Sequence, residues 1–193
     1  MSGQDEAGQR ALATLVTLPP AEQLVSPLDY VLAEHIRQRA LCWLLDYIAS
    51  DEARTQNCVI AVTRFLRNDL NLHVADEEED LFPLLRRRAE PDDRIDDVLR
   101  QLSREHTASA CDTTTILAGL SRIDAEGCFS ETFRALLHSF AAVEWRHLTV
   151  ENAIVLPLAR VRLTTDDLNV LGHRMAIRRS IDFTELRHAI RSA

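Results

Sequence analysis

The sequence contains few glycines, prolines or aromatic residues: five Gly, six Pro and 5% aromatics among 193 residues. Glycine and proline weaken helices and aromatic residues favour strands, so long helices meet few obstacles in this chain. Leu, Ala, Arg and Glu are abundant, and these are good helix formers. The composition predicts an all-α protein, and the length fits one domain.

Positive charge is also scarce. The formal net charge is −8, and the longest basic run is Arg86-Arg87-Arg88. A nucleic-acid binder needs a basic surface to neutralise phosphates, so that class of protein is excluded. No segment approaches the roughly 20 apolar residues of a membrane span, and the N-terminus lacks the pattern of a signal peptide. We expect a cytoplasmic monomer or homodimer with neither a nucleic-acid nor a membrane partner.

The sequence has no C-x-x-C spacing. Its four cysteines occur singly within helical stretches: Cys42, Cys58, Cys111 and Cys128. Disulfide frameworks and cysteine-ligated zinc sites need clustered or paired cysteines. We therefore interpret all four as reduced thiols.

Hydrophobic periodicity divides the chain into three parts. We predict a flexible N-terminal arm with at most a helical turn over 1–26, a four-helix bundle over 27–163 and a C-terminal helical extension over 164–193. Short connections between long amphipathic helices predict up-down-up-down topology. The expected helices of the bundle cover 28–50, 51–88, a segment that starts at Pro91-Asp92-Asp93, and a segment that starts near 130.

Two His-x-x-x-Glu pairs lie on the inward stripes of the second and fourth helices. They are His73/Glu77 and His147/Glu151. Residues four apart share one helix face about 6 Å apart along the axis, so each pair presents an imidazole and a carboxylate in one direction. A buried carboxylate without a partner costs several kcal/mol, and a bound cation removes that cost. The pairs therefore indicate a metal site.

The first and third helices each add one inward histidine, His35 and His106. Four imidazoles and two carboxylates suit iron, manganese or zinc, because there is no thiolate and too much nitrogen for calcium or magnesium. Glu144 lies three residues before His147 and is a further candidate ligand. We also expect Leu32 and Ile154 to lie on the inward stripes.

Each pair is followed by a proline at the same distance. Pro83 stands ten residues after His73, and Pro157 stands ten residues after His147. The stretches that carry these features are EHIRQRALCWLL, HVADEEEDLFPLL, REHTASACD and EWRHLTVENAIVLPLA. With this order of motifs, from Leu28 to Arg160, the chain resembles the hemerythrin-like, or HHE cation-binding, family.

The resemblance implies two iron ions, with manganese or zinc as alternatives. It places His35 and His73 on one iron and His106 and His147 on the other, with Glu77 and Glu151 bridging them. The oxygen-carrying hemerythrins have a further histidine one turn after the third-helix ligand, and Ala110 occupies that position here. This difference disfavours reversible oxygen transport.

Three functions remain open for such a site. The first is a non-haem di-iron protein that binds or senses O2, nitric oxide or peroxide. The alternatives are an iron-dependent peroxidase or oxidase, and an interaction module that the metal merely stabilises. The extension after Arg160 also resembles a segment that follows this domain in many bacterial relatives, without an assigned role.

Overall fold

The computed structural model describes residues 3–50, 56–121 and 129–192. Over these residues the chain is 90% helical, with seven helices and no strands, which confirms the predicted all-α class. The helices are α1 (Gly3–Val16), α2 (Pro27–Ala49), α3 (56–88), α4 (Ile95–Leu120), α5 (131–162), α6 (Thr165–Arg178) and α7 (Phe183–Ser192). Two short 3-10 turns cover Ala21–Val25 and Pro91–Asp93.

The helix boundaries follow the chemistry of their first residues. Helix α2 begins at Pro27, whose missing N–H costs nothing in a first turn. Pro91–Asp93 forms a 3-10 turn rather than the first α-turn, and α4 begins at Ile95, after Arg94 in the left-handed region (φ 50°). Residues 51–55, which we predicted to begin the second helix, lie outside the described part of the chain.

The N-terminal region has more structure than the arm expected from its sequence. Residues Gly3–Val16 form the helix α1, where at most one helical turn was expected. Leu15 is 1% exposed and Leu24 is 0% exposed. The buried guanidinium of Arg37 donates a hydrogen bond to the Leu15 carbonyl oxygen at 3.0 Å. This contact, which residues 1–26 alone do not reveal, fixes the end of α1.

Helices α3 and α5 contain π-helical turns next to the two His-x-x-x-Glu pairs. These turns are Glu77–Leu81 and Glu151–Val155, and a third covers Phe65–Asp69. The N–H of Phe82 donates to the Glu77 carbonyl, and the N–H of Leu156 donates to the Glu151 carbonyl. Pro83 and Pro157 follow directly, and the wide turn accommodates a ring that would clash with the carbonyl four residues earlier.

The π turn in α5 corrects one predicted inward residue. Ile154 is 42% exposed, whereas Val155 is fully buried at 0%. A π turn holds one residue more than an α turn, so the inward position moves one residue along the chain. Leu32 on α2 is also exposed, because it lies on the flank of the stripe formed by Leu28, Val31 and His35.

The chain divides into two compact units, and each of α2, α3, α4 and α5 contributes residues to both. The first unit comprises 1–17, 35–71 and 104–149. Within it, Arg37 forms an ion pair with Asp69 at 2.5 Å and lies over the Phe65 ring. These contacts join α2 to α3 inside the unit.

The second unit comprises 18–34, 72–103 and 150–193, and it has a continuous apolar core. Leu24 and Val31 from its N-terminal segment pack in this core with residues of α3, α4, α5, α6 and α7. Helix α6 is capped by Thr164, whose hydroxyl accepts from the Asp167 N–H while the Asp167 carboxylate accepts from the Thr164 N–H. No helix among the described residues is both long enough and apolar enough to cross a membrane.

Candidate metal centre

The structure brings together the six residues that the sequence singled out. They form two groups in which one ligand atom of each residue lies within 4.8 Å of the others. The first group consists of His35, His73, Glu77 and Glu151, and the second of Glu77, His106, His147 and Glu151. Glu77 and Glu151 therefore belong to both groups. Both groups lie within the described part of the chain.

The two carboxylates of the cluster lie in the interior. The exposed fraction is 1% for Glu77 and 0% for Glu151. The π turns contribute to this placement, because each glutamate is the first residue of its turn. Single π turns inside α-helices often accompany functional sites, since they change which side chains face inward. Glu77 also lies 3.4 Å from the Nε2 atom of His73, so this pair converges as its spacing predicts.

The donor set fits a metal ion. Nitrogen and oxygen donors bind iron, manganese or zinc at about 2.0–2.2 Å, so ligand atoms on one ion lie within about 4.4 Å of one another. The observed limit of 4.8 Å is close to this value. Two buried carboxylates in contact would repel each other, and a cation between them offsets both the repulsion and the loss of hydration. Each group has the composition and spacing of a metal site.

His147 has a carboxylate partner that no sequence pattern indicated. Its Nδ1 atom lies 2.9 Å from the Oε2 atom of Glu105 on α4. A carboxylate can only accept here, so Nδ1 carries the proton and Nε2 is the nitrogen available to a metal. The rings of His106 and His147 also lie near each other, with centroids 4.6 Å apart. Glu105 adjoins His106 in sequence, but only the fold brings it to His147.

Glu144, the further candidate ligand, is buried but belongs to neither group. Burial raises the pKa of the Cys42 thiol, and the charge of Glu144 raises it further. Cys42 is thus a protonated core residue. Cys58 is also buried and Cys111 is exposed, and none of these three described cysteines is in a disulfide, while Cys128 lies outside the described residues.

The acidic residues around Glu77 have partners in the second unit. Glu78 accepts a hydrogen bond from Ser103 at 2.9 Å. Asp76 and Asp80 pair with arginines of the C-terminal segment. This acidic run is therefore not a uniformly solvated face, although a run of charges usually is.

One cavity, of about 480 Å³, lies against α6 and α7 and includes His173 and His188 in its lining. None of the six cluster residues lines it. It is therefore separate from the candidate metal centre.

The chain matches a known protein family. The model of the hemerythrin HHE cation-binding domain matches residues 26–159, which is more than half of the chain. No match to a curated protein was found. The matched range contains all six residues of the cluster, so the family and the geometry indicate the same part of the chain.

Proposed function

Because the chain belongs to the hemerythrin HHE cation-binding domain family, with an all-α hemerythrin-like bundle, we propose that it is a non-haem di-iron protein that binds or senses O2, nitric oxide or peroxide. One observation carries the proposal: the two four-residue groups share Glu77 and Glu151. Two ions with shared carboxylates would use this arrangement, whereas a single ion would leave two histidines without a role.

Each residue has a role in this proposal. His35 and His73 would hold one ion, His106 and His147 would hold the other, and Glu77 and Glu151 would be ligands shared between the two. Glu105 orients His147 through its Nδ1 proton. Bound iron would supply redox chemistry and coordination positions for a small molecule.

The number of protein ligands favours small-molecule binding. Four donors on each ion leave coordination positions open, because iron commonly takes more than four ligands. The methyl group of Ala110 provides no ligand at the position where oxygen carriers have a histidine. We therefore favour sensing or redox chemistry over reversible oxygen transport. Cys42, Cys58 and Cys111 are in no disulfide, which supports a reducing compartment, and we propose the cytoplasm.

Metal content and the optical spectrum test the proposal. We expect about two irons per chain after aerobic loading and a charge-transfer band in the near ultraviolet. Adding O2, nitric oxide or peroxide to the reduced protein should change the visible spectrum. One colourless zinc per chain, or a spectrum unchanged by all three molecules, would contradict the proposal. Catalytic turnover of peroxide that Glu77→Ala abolishes would support a peroxidase instead.

A further inference from the structure

Two buried carboxylates flank Glu77. Asp76 precedes it, and Asp80 lies in the π turn that Glu77 begins. Both side chains are 1% exposed, and each would be costly in the interior without a cationic partner. The position of Glu77 therefore depends on how these two neighbours are held, because all three belong to one stretch of backbone.

The partners of these acids come from the C-terminal segment. Arg179 Nη2 lies 2.7 Å from Asp76 Oδ2, and Arg178 Nη1 lies 2.9 Å from Asp76 Oδ1. Arg178 Nη1 also lies 2.5 Å from Asp80 Oδ2, and Arg174 Nη1 lies 2.5 Å from Asp80 Oδ1. Two sides of the turn are thus bound to consecutive turns of one helical segment.

Arg179 is itself held in place by further contacts. Arg179 Nε donates to the Tyr30 hydroxyl at 3.0 Å, its guanidinium lies 4.8 Å from the Tyr30 ring centroid, and Nη1 donates to the Met175 carbonyl. Burial disfavours the charged form of Arg179, but the hydrogen bond that Arg179 donates to Asp76 and the Asp76 charge outweigh burial and raise the pKa of Arg179. These contacts leave the guanidinium of Arg179 little freedom to move.

The backbone of α6 is also in close contact with its surroundings. A Cβ atom on Gly172 would lie 2.2 Å from the carbonyl oxygen of Leu24, so only glycine allows this approach. In the first turn of α6, Asp167 accepts two hydrogen bonds from Arg88 of α3. Helix α6 therefore cannot shift along α3 without breaking ion pairs at both ends.

We propose that Arg178 and Arg179 are positioning residues for the metal centre, which hold the turn carrying Glu77 so that α6 and a bound metal stabilise each other. The proposal rests on the proposed function and assigns a role to the C-terminal extension. Coupling between two sites is reciprocal in free energy. The binding free energy of the metal that is lost when the turn is freed therefore equals the free energy of α6 docking that is lost when the metal is removed. The stability of α6 therefore depends on whether the metal centre is occupied.

The first experiment measures Fe(II) affinity, under anaerobic conditions, by competition with a coloured chelator. We expect Arg178→Gln/Arg179→Gln to weaken binding about tenfold, the lower end of the range for residues that support metal ligands. Arg88→Gln is the matched control, because it also loosens α6 from α3 but at a distance from Glu77. It should change the affinity less than twofold. The Co(II) absorption spectrum should change in the double variant and not in the control.

Hydrogen exchange on the wild-type chain, with Arg179→Gln for comparison, tests the reciprocal effect. Adding Fe(II) should slow exchange of the α6 amides about tenfold, and Arg179→Gln should abolish this slowing. The inference would be overturned if the double variant and the control bound Fe(II) with equal affinity, or if Fe(II) did not change hydrogen exchange in α6. Either result would leave the di-iron proposal intact. A wild-type chain that binds no Fe(II) would overturn both.

Discussion

The turns that begin at Glu77 and Glu151 share a backbone conformation and differ in their surroundings. Both are π turns followed by a proline, and both place apolar residues in the core: Leu81 and Phe82 in one, Val155 and Leu156 in the other. The positions of Asp76 and Asp80, however, are taken by Val150 and Ile154 in the second turn.

This difference distinguishes the features that direct the glutamate inward from the features that attach one turn to the C-terminal extension. The π turn and the apolar residues occur in both helices, so they are sufficient to direct a glutamate inward. The buried acids that flank the glutamate, Asp76 and Asp80, occur only at the first turn, where they pair with Arg178 and Arg179. Only the first turn is therefore attached by charge to the C-terminal extension.

Removal of either shared carboxylate is the largest expected effect. Glu77 and Glu151 belong to both groups, so Glu77→Ala and Glu151→Ala should each abolish binding of both ions despite their different surroundings. His73→Ala and His147→Ala should each remove about one ion, because each histidine belongs to one group. Metal analysis after gel filtration measures the result. Retention of one ion by either glutamate variant would contradict shared ligation.

Asp76→Asn should destabilise the metal-free chain by about 3 kcal/mol, because it leaves two partly buried arginines short of a charged partner at a buried position. Val150→Ala, at the equivalent place in the second turn, should cost about 1 kcal/mol, since it removes two methyl groups from a half-buried position. Urea unfolding of both variants gives the comparison. Equal losses would mean that the acidic turn is no more dependent on its surroundings than the apolar turn.

Glu105→Gln should weaken metal binding about tenfold, because the neutral amide supports the His147 imidazole less strongly than a carboxylate. Asp46→Asn is the matched control, since Asp46 also contacts a histidine Nδ1, that of His138, but at an exposed position. Chelator competition should show no change in the control. If both variants lose affinity alike, Glu105 acts through overall charge rather than through His147.

The smallest effect should be at Asp167. The hydrogen bond from Arg88 holds the pKa of this carboxyl down to about 2, so its contribution to stability is complete above about pH 4 and is lost as pH falls towards 2. Asp167→Asn should cost about 1 kcal/mol at pH 7, and the difference from wild type should shrink between pH 4 and 2. Asp166→Asn, an exposed neighbour, is the control. A difference that persists at pH 2 would exclude the ion pair as its cause.

The sequence was sufficient for the fold class, and it singled out the six residues that the structure brings together. Helical spacing placed His73 with Glu77 and His147 with Glu151, because both members of each pair lie on one helix. The stripes also predicted the burial of His35. These are local properties, which the order of residues along one helix determines.

The features that the sequence did not predict depend on long-range contacts or on unusual backbone. Glu105 reaches His147 across 42 residues, and Arg178 reaches Asp76 across 102 residues, so no spacing rule connects them. Ile154 was placed inward because regular α-helical spacing was assumed through the π turn. The ten-residue offset from histidine to proline was the one sign of that turn in the sequence.

The π turns also bear on how the chain tolerates deletions. Each turn holds one residue more than an α-helix needs, so deleting a single residue after Glu77 would allow α3 to close into regular α-helix without a break. The deleted residue is the one that the π turn adds, so the side chains beyond it would keep their directions around the helix axis. Leu84 and Leu85 would stay in the core, but the ring of Pro83 would then clash with the carbonyl one turn earlier, so a helix made more regular would give a less stable protein.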